Sequence, residues 1–281
     1  MEKANPGIDL GTAMAISGAA ASTNMGSQTR RDIRFLLTLF NVRLGYWMRR
    51  PGLSPAAPLL SGPGPLYFPR EMIGALHERT HYINLSDGGH IENLAVYELL
   101  RRQCKFIVCV DAGMEPGMEC ADLTRLQRFA EIDFGIRMHF DLTDLTPLPT
   151  KFSRAYGVLV KIDYAPEQAV QGRQTSDQLG WMLYLKLAVT GTEPRHILDY
   201  RRSNPAFPHQ TTGDQFYDEA QFESYRALGQ CAAASLFREE IIGRDLARND
   251  MKVQEWFKLL AGSLLADNDE AVACTAETNT Q

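Results

Sequence analysis

A carboxylate followed by two glycines, Asp87-Gly88-Gly89, marks the place where this chain has the means to do chemistry. An aspartate within hydrogen-bond reach of a serine hydroxyl, and partly removed from water, takes the hydroxyl proton as a general base. The glycines behind it let a ligand or another stretch of backbone come close. The pattern also has a plain structural reading, because Asp-Gly is a common turn. His81 and His90 flank the aspartate and suggest a histidine-assisted triad or a metal site, but no further ligands occur with metal-binding spacing. Asp111, in Val110-Asp111-Ala112-Gly113, repeats the arrangement one strand later. It could bind a metal, cap a helix or orient the Asp87 loop, and a structural strand-end carboxylate is the simplest account. Ser17, in Ile16-Ser17-Gly18, has the centre of a nucleophile elbow, yet that elbow wants glycine at both flanks where this chain has Ala15 and Ala19. Close helix packing explains that small-residue run better. Glu223 and Arg226, three apart on a predicted helix, read as a surface ion pair.

Asp87 needs elements to hold it. Thr80 to Leu85 alternates and predicts a strand; Ile91 to Arg102 predicts a helix ending in two arginines that suit its dipole. Phe106 to Val110 is apolar throughout, as expected of a strand covered on both faces. Strand, helix and strand within about thirty residues predict a βαβ unit with parallel strands. Elsewhere the pattern predicts helices over Leu10–Ala21, Asp32–Arg49, Glu71–Leu76, Leu123–Phe134 and Glu193–Arg202, with one or two more within Tyr217–Leu246. Strands are predicted over Ile136–Asp141, Tyr156–Tyr164 and Trp181–Val189, the last two joined as a hairpin. Pro51 to Pro69 reads as a loop, Ser203 to Asp214 as irregular, and residues 266–281 as a disordered tail.

The totals set bounds. A chain of 281 residues, 44% hydrophobic and 22% charged, can bury a substantial core. A net charge of −5 gives no sign of a nucleic-acid partner. The five cysteines form no C-x-x-C pair, which argues against zinc and disulfide frameworks and for a reducing compartment. The arginines at 30, 31, 34, 43, 49 and 50 read as a solvated face rather than a lipid-headgroup contact. The apolar stretches are too short to cross a bilayer, and the N-terminus carries no export signal.

An ordered set of stretches resembles one family. They are Leu10–Ser22, Asn41–Trp47, Leu85-Ser86-Asp87-Gly88-Gly89-His90-Ile91-Glu92-Asn93-Leu94, Val110–Gly113, Ile132–Ile136 and Asp214–Gly229. Together, from about residue 10 to 245, they are similar to the bacterial patatin-like phospholipases, relatives of the cytosolic phospholipase catalytic domains. The resemblance implies an α/β fold: a three-layer α/β/α sandwich with a central, largely parallel sheet. It implies a lipid or phospholipid acyl ester as substrate, hydrolysed by a Ser–Asp dyad without any cofactor. Only the aspartate half maps here, onto Asp87 with Gly88 and Gly89 as its supporting loop. No G-x-S-x-G occurs in the chain, so the resemblance places the serine and a Gly-rich oxyanion loop upstream of Met1. Residues 1–265 then read as the C-terminal portion of such a domain, cytoplasmic, with any membrane-surface contact carried by an upstream segment. The chain alone is expected to be inactive. A non-catalytic lipid-binding or regulatory module with the same fold is the rival expectation.

Overall fold

The computed structural model describes residues 8–19, 44–51, 63, 67–173, 175–211, 213–214, 216–238, 251–262 and 264. The chain divides into two compact units, residues 1–93 and 94–281. The predicted tail, and most of the predicted 32–49 helix, lie outside the described residues.

In the first unit, α1 (Leu10–Ser17) is capped by Asp9, whose Oδ1 accepts the Thr12 N–H at 2.7 Å. No residue of α1 is buried, while Ala19 just beyond it is buried, and residues 20–22 of the small-residue run lie outside the described residues. Next come β1 (Tyr46–Arg49), α2 (Tyr67–Ile73) and β2 (Tyr82–Leu85). Residues 46–49, placed by their spacing in a helix, are instead a strand. It pairs antiparallel with β2, Tyr46 facing Leu85 and Arg49 facing Tyr82. Bulky aromatic residues fit a pleated ribbon at least as well as a helix, and here the pairing decides. The ring of Tyr67 packs edge-on against Trp47 and Tyr82, 5.7 and 5.8 Å away, and the Tyr82 N–H donates to its hydroxyl. One aromatic side chain of α2 therefore pins both strands of the ribbon.

The predicted helix after β2 begins late. Gly88–His90 forms a 3-10 turn, Ala95 takes a positive φ of 56°, and α3 spans only Tyr97–Arg101. A left-handed residue cannot sit inside an α-helix, so the regular turns start beyond it. The parallel βαβ unit is not formed either, since β2 pairs with β1 and β3 (Phe106–Asp111) with β6 (Leu179–Lys186).

The second unit is built on a four-stranded sheet in the order β3-β6-β5-β4, where β4 is Arg137–His139 and β5 is Gly157–Asp163. β3 and β6 are parallel; β5 is antiparallel to both β6 and β4. The architecture is mixed α/β, and among the described residues its sheet is mixed rather than largely parallel. The β5–β6 hairpin matches its sequence pattern. Its connection contains α5 (Pro166–Val170) and a short 3-10 turn.

Alternation along the strands feeds both faces of the sheet. Ile107, Val160, Ile162 and Met182 meet Leu123, Leu126 and Ala130 of α4 (Ala121–Phe134). On the opposite face Leu159, Leu183 and Leu185 meet Leu236, Phe257 and Leu260. Phe257 and Leu260 belong to α8, residues 253–262. A third cluster joins Tyr156 and Val189 to Ile197 of α6 (Arg195–Ser203), Phe207, and Leu228 of α7 (Glu219–Ser235). β3 differs from its sequence reading, because Val108 and Val110 are 52% and 65% exposed. It is an edge strand of this sheet, and α8 reaches it at Phe106, where Phe257 packs 4.9 Å away. No helix among the described residues is long and apolar enough to cross a membrane.

Candidate functional site

Asp87 lies immediately beyond β2, half-buried, as the cap of the Gly88–His90 turn. Its Oδ1 accepts the Gly89 N–H at 2.8 Å. Such a side chain-to-backbone bond two residues on is what makes Asp-Gly sequences turn, and here it also fixes the carboxylate's direction. Among the described residues no other group hydrogen-bonds this carboxylate, so Oδ2 has no hydrogen-bond partner there.

The two glycines have different duties. A side-chain carbon on Gly89 would lie 2.5 Å from Asn93 Oδ1 and 3.2 Å from Asp87 Oδ1, so no larger residue fits without moving the aspartate or the asparagine. A side-chain carbon on Gly88 would meet nothing within 4 Å. Gly88 is therefore not a steric requirement of the turn.

The structure also makes a contact that the spacing did not suggest. Ser86 Oγ lies 3.3 Å from His90 Nδ1, at the two ends of the same turn. His81 is exposed. Among the described residues no group of three or more His, Cys, Asp or Glu side chains could hold a metal ion. Ser17 is the last residue of α1, and its exposed hydroxyl donates to Met14 O at 2.7 Å. It sits on a helix end rather than a strand-to-helix elbow. Glu223 and Arg226 form the exposed ion pair expected of them, 2.7 Å apart.

Asp111, in the second unit, closes β3 with the same local bond, Oδ1 accepting the Gly113 N–H at 2.8 Å. Its other oxygen is fully engaged: Oδ2 accepts from Tyr184 Oη at 2.5 Å and from Lys186 Nζ at 2.8 Å. Lys186 stands in register with Asp111 across the parallel strands and also meets Glu115 at 3.0 Å. Asp111 and Lys186 are 4% and 2% exposed, so the pair is sealed from water. Burial works against the Lys186 charge, but the hydrogen bonds and charges of Asp111 and Glu115 outweigh it and raise its pKa. Tyr184 is pushed far up by burial and by Asp111, and stays neutral. His209 is buried beside the same group, its Nδ1 without a partner, and is pushed down by burial and then by the Lys186 charge. Asp111 is thus a structural carboxylate, as its strand-end position suggested. Lys186 went unnoticed in the sequence; its signal was a single charge inside the apolar run Trp181 to Val189.

Comparison of the chain with known protein families, with curated proteins and with solved structures finds no match.

Proposed function

We propose that Asp87 is the general base of a serine acyl hydrolase acting on lipid or phospholipid acyl esters. The observation that carries the reading is the state of its carboxylate, which lies just past the end of a strand: one oxygen is anchored by Gly89 N–H, and the other has no hydrogen-bond partner among the described residues. In this reading Asp87 Oδ2 accepts the proton of an attacking serine and passes it to the departing alcohol; in deacylation it accepts a proton from the water that attacks the acyl-enzyme and returns it to the serine as the fatty acid leaves. The anchoring bond keeps the carboxylate aimed while its charge changes. The serine and the oxyanion donors come from a G-x-S-x-G elbow and a Gly-rich loop outside this chain. The finer fold assignment, a patatin-like three-layer sandwich, belongs to the same proposal. Apolar side chains packed on both faces of the 94–281 sheet support it, while the mixed strand directions of that sheet do not.

The non-catalytic lipid-binding module is the second reading. It is favoured by one fact: among the described residues no hydroxyl bonds Asp87. Asp87→Asn decides between them, because the amide keeps the bond to Gly89 and loses the base. In the complete protein it should lower acyl-ester turnover by about 10²- to 10⁴-fold, the usual worth of a general base. Unchanged turnover removes Asp87 from the mechanism. The 281-residue chain by itself should not hydrolyse these esters. If it does, Ser86→Ala and Ser17→Ala show which hydroxyl acts, and loss through Ser86 would make Ser86–His90 the working pair.

A further inference from the structure

The second unit contains a cavity of about 650 Å³, between the loop preceding β5, residues 190–192 and the end of α7. Its size falls within the roughly 300–1,000 Å³ of sites for small organic ligands. Leu148, Phe152, Leu236 and Leu264 give it an apolar wall, serine and threonine hydroxyls line part of the rest, and Arg154 and Arg238 also line it.

The positive charge around this cavity is poorly matched. Arg238 Nε donates to the Ser235 carbonyl at 3.1 Å, and the exposed side chain meets no carboxylate among the described residues. Arg154 is half-exposed and only 3.7 Å from Asp144, a loose pair. Behind the wall, Arg201 lies over the Phe152 ring at 4.7 Å, and its buried Nη1 has no hydrogen-bond partner. The acid next to this region, Glu193, is already committed. It accepts from Tyr156 Oη at 2.7 Å and from the Thr190 and Gly191 N–H groups at 2.6 and 2.8 Å. An apolar wall beside guanidinium groups short of anions suits a molecule with a hydrocarbon chain and an acidic head.

We propose that this cavity binds a long-chain fatty acid, its chain against Leu148, Phe152, Leu236 and Leu264 and its carboxylate on Arg154 and Arg238. The proposal stands apart from the role given to Asp87, since every wall residue lies within residues 94–281. It gives the protein a second, non-catalytic lipid site.

Calorimetric titration of the 281-residue chain with tetradecanoate, below its micelle concentration, tests this. Saturable binding of one molecule per chain is expected, with the uncharged tetradecanol bound at least about tenfold more weakly. An R154Q/R238Q variant should lose about that factor for the acid and leave the alcohol unchanged. A234W, on an exposed position of α7 that lines the cavity, should abolish binding of both while thermal unfolding stays as in the parent. The proposal is overturned by an absence of saturable binding, by equal affinity for acid and alcohol, by binding indifferent to either variant, or by attachment to phosphatidylglycerol vesicles without binding of the free acid.

Discussion

At the ends of β2 and β3 the chain uses one local device twice. An aspartate turns its Oδ1 back onto the N–H of a glycine two residues on, at 2.8 Å in both cases. The fate of the second carboxylate oxygen depends on the neighbouring strand. Beside β3, strand β6 supplies Lys186 in register with Asp111, with Tyr184 two residues before it, and the remaining oxygen is consumed. Beside β2, the ladder with β1 stops at Leu85, so among the described residues no strand partner stands opposite Asp87. The turn sets direction, and the strand alongside sets availability. Two aspartates with nearly the same local turn therefore divide into a structural anchor and a candidate base.

Lys186 is where this division can be tested most forcefully. Lys186→Met strands two acids, one of them 4% exposed, and should destabilise the second unit by about 3–5 kcal/mol in urea unfolding. Asp87→Asn should shift stability by no more than about 0.5 kcal/mol, as for other incompletely buried sites. If the two substitutions cost the same, the division between anchor and base is wrong.

A smaller effect separates the glycines. Gly89→Ala must push aside Asn93 or the Asp87 carboxylate and should lower turnover of the complete protein by about ten- to a hundredfold. Gly88→Ala meets no atom, so its steady-state kinetics should stay within about twofold of the parent unless substrate occupies that space. Equal losses at the two positions would show that close approach of substrate, rather than the shape of the turn, is what the glycines serve.

The smallest effect is on pH. His209, close to Asp111, Glu115 and Lys186, has its pKa held below the ordinary 6.5 by burial and by the lysine charge. A base whose folded pKa is depressed binds its proton more readily when unfolded. Its contribution to stability is therefore present above pH 6.5 and is lost progressively as the pH falls below it. Urea midpoints at pH 7.5 and 5.5 should differ for the parent, and less so for His209→Gln. An identical difference in both would mean that the histidine does not titrate within the cluster.

Much of this was legible in the sequence, for a physical reason. β5, β6 and α4 are strongly patterned segments whose apolar residues face a core, and Asp87 sits in a motif that can be read one residue at a time. β1 was concealed because Trp47 continues the helical spacing of Ile33, Leu36, Leu37, Phe40 and Leu44, and only pairing with β2 selects the extended form. The late start of α3 hinged on the positive φ of Ala95, which alanine seldom adopts. Lys186 could not be placed because its role comes from register: a shift of one residue would have turned it to the other face. Val108 and Val110 look like interior residues in any apolar run, and their exposure results from β3 lying at a sheet edge.

The two-stranded ribbon that carries Asp87 has one more consequence. Each of its strands is four residues long, and ribbons of that size are marginal without packing support. Tyr67 supplies part of that support, its ring packing on both strands and its hydroxyl accepting the Tyr82 N–H. Such an element is expected to open at lower free energy than the interior strands β5 and β6, which hydrogen-exchange protection would show. Heat would disperse the carboxylate's aim while most of the protein's ellipticity remained. The working temperature range of such a catalyst would then be set by the fraying of one small ribbon, with α2 as its latch.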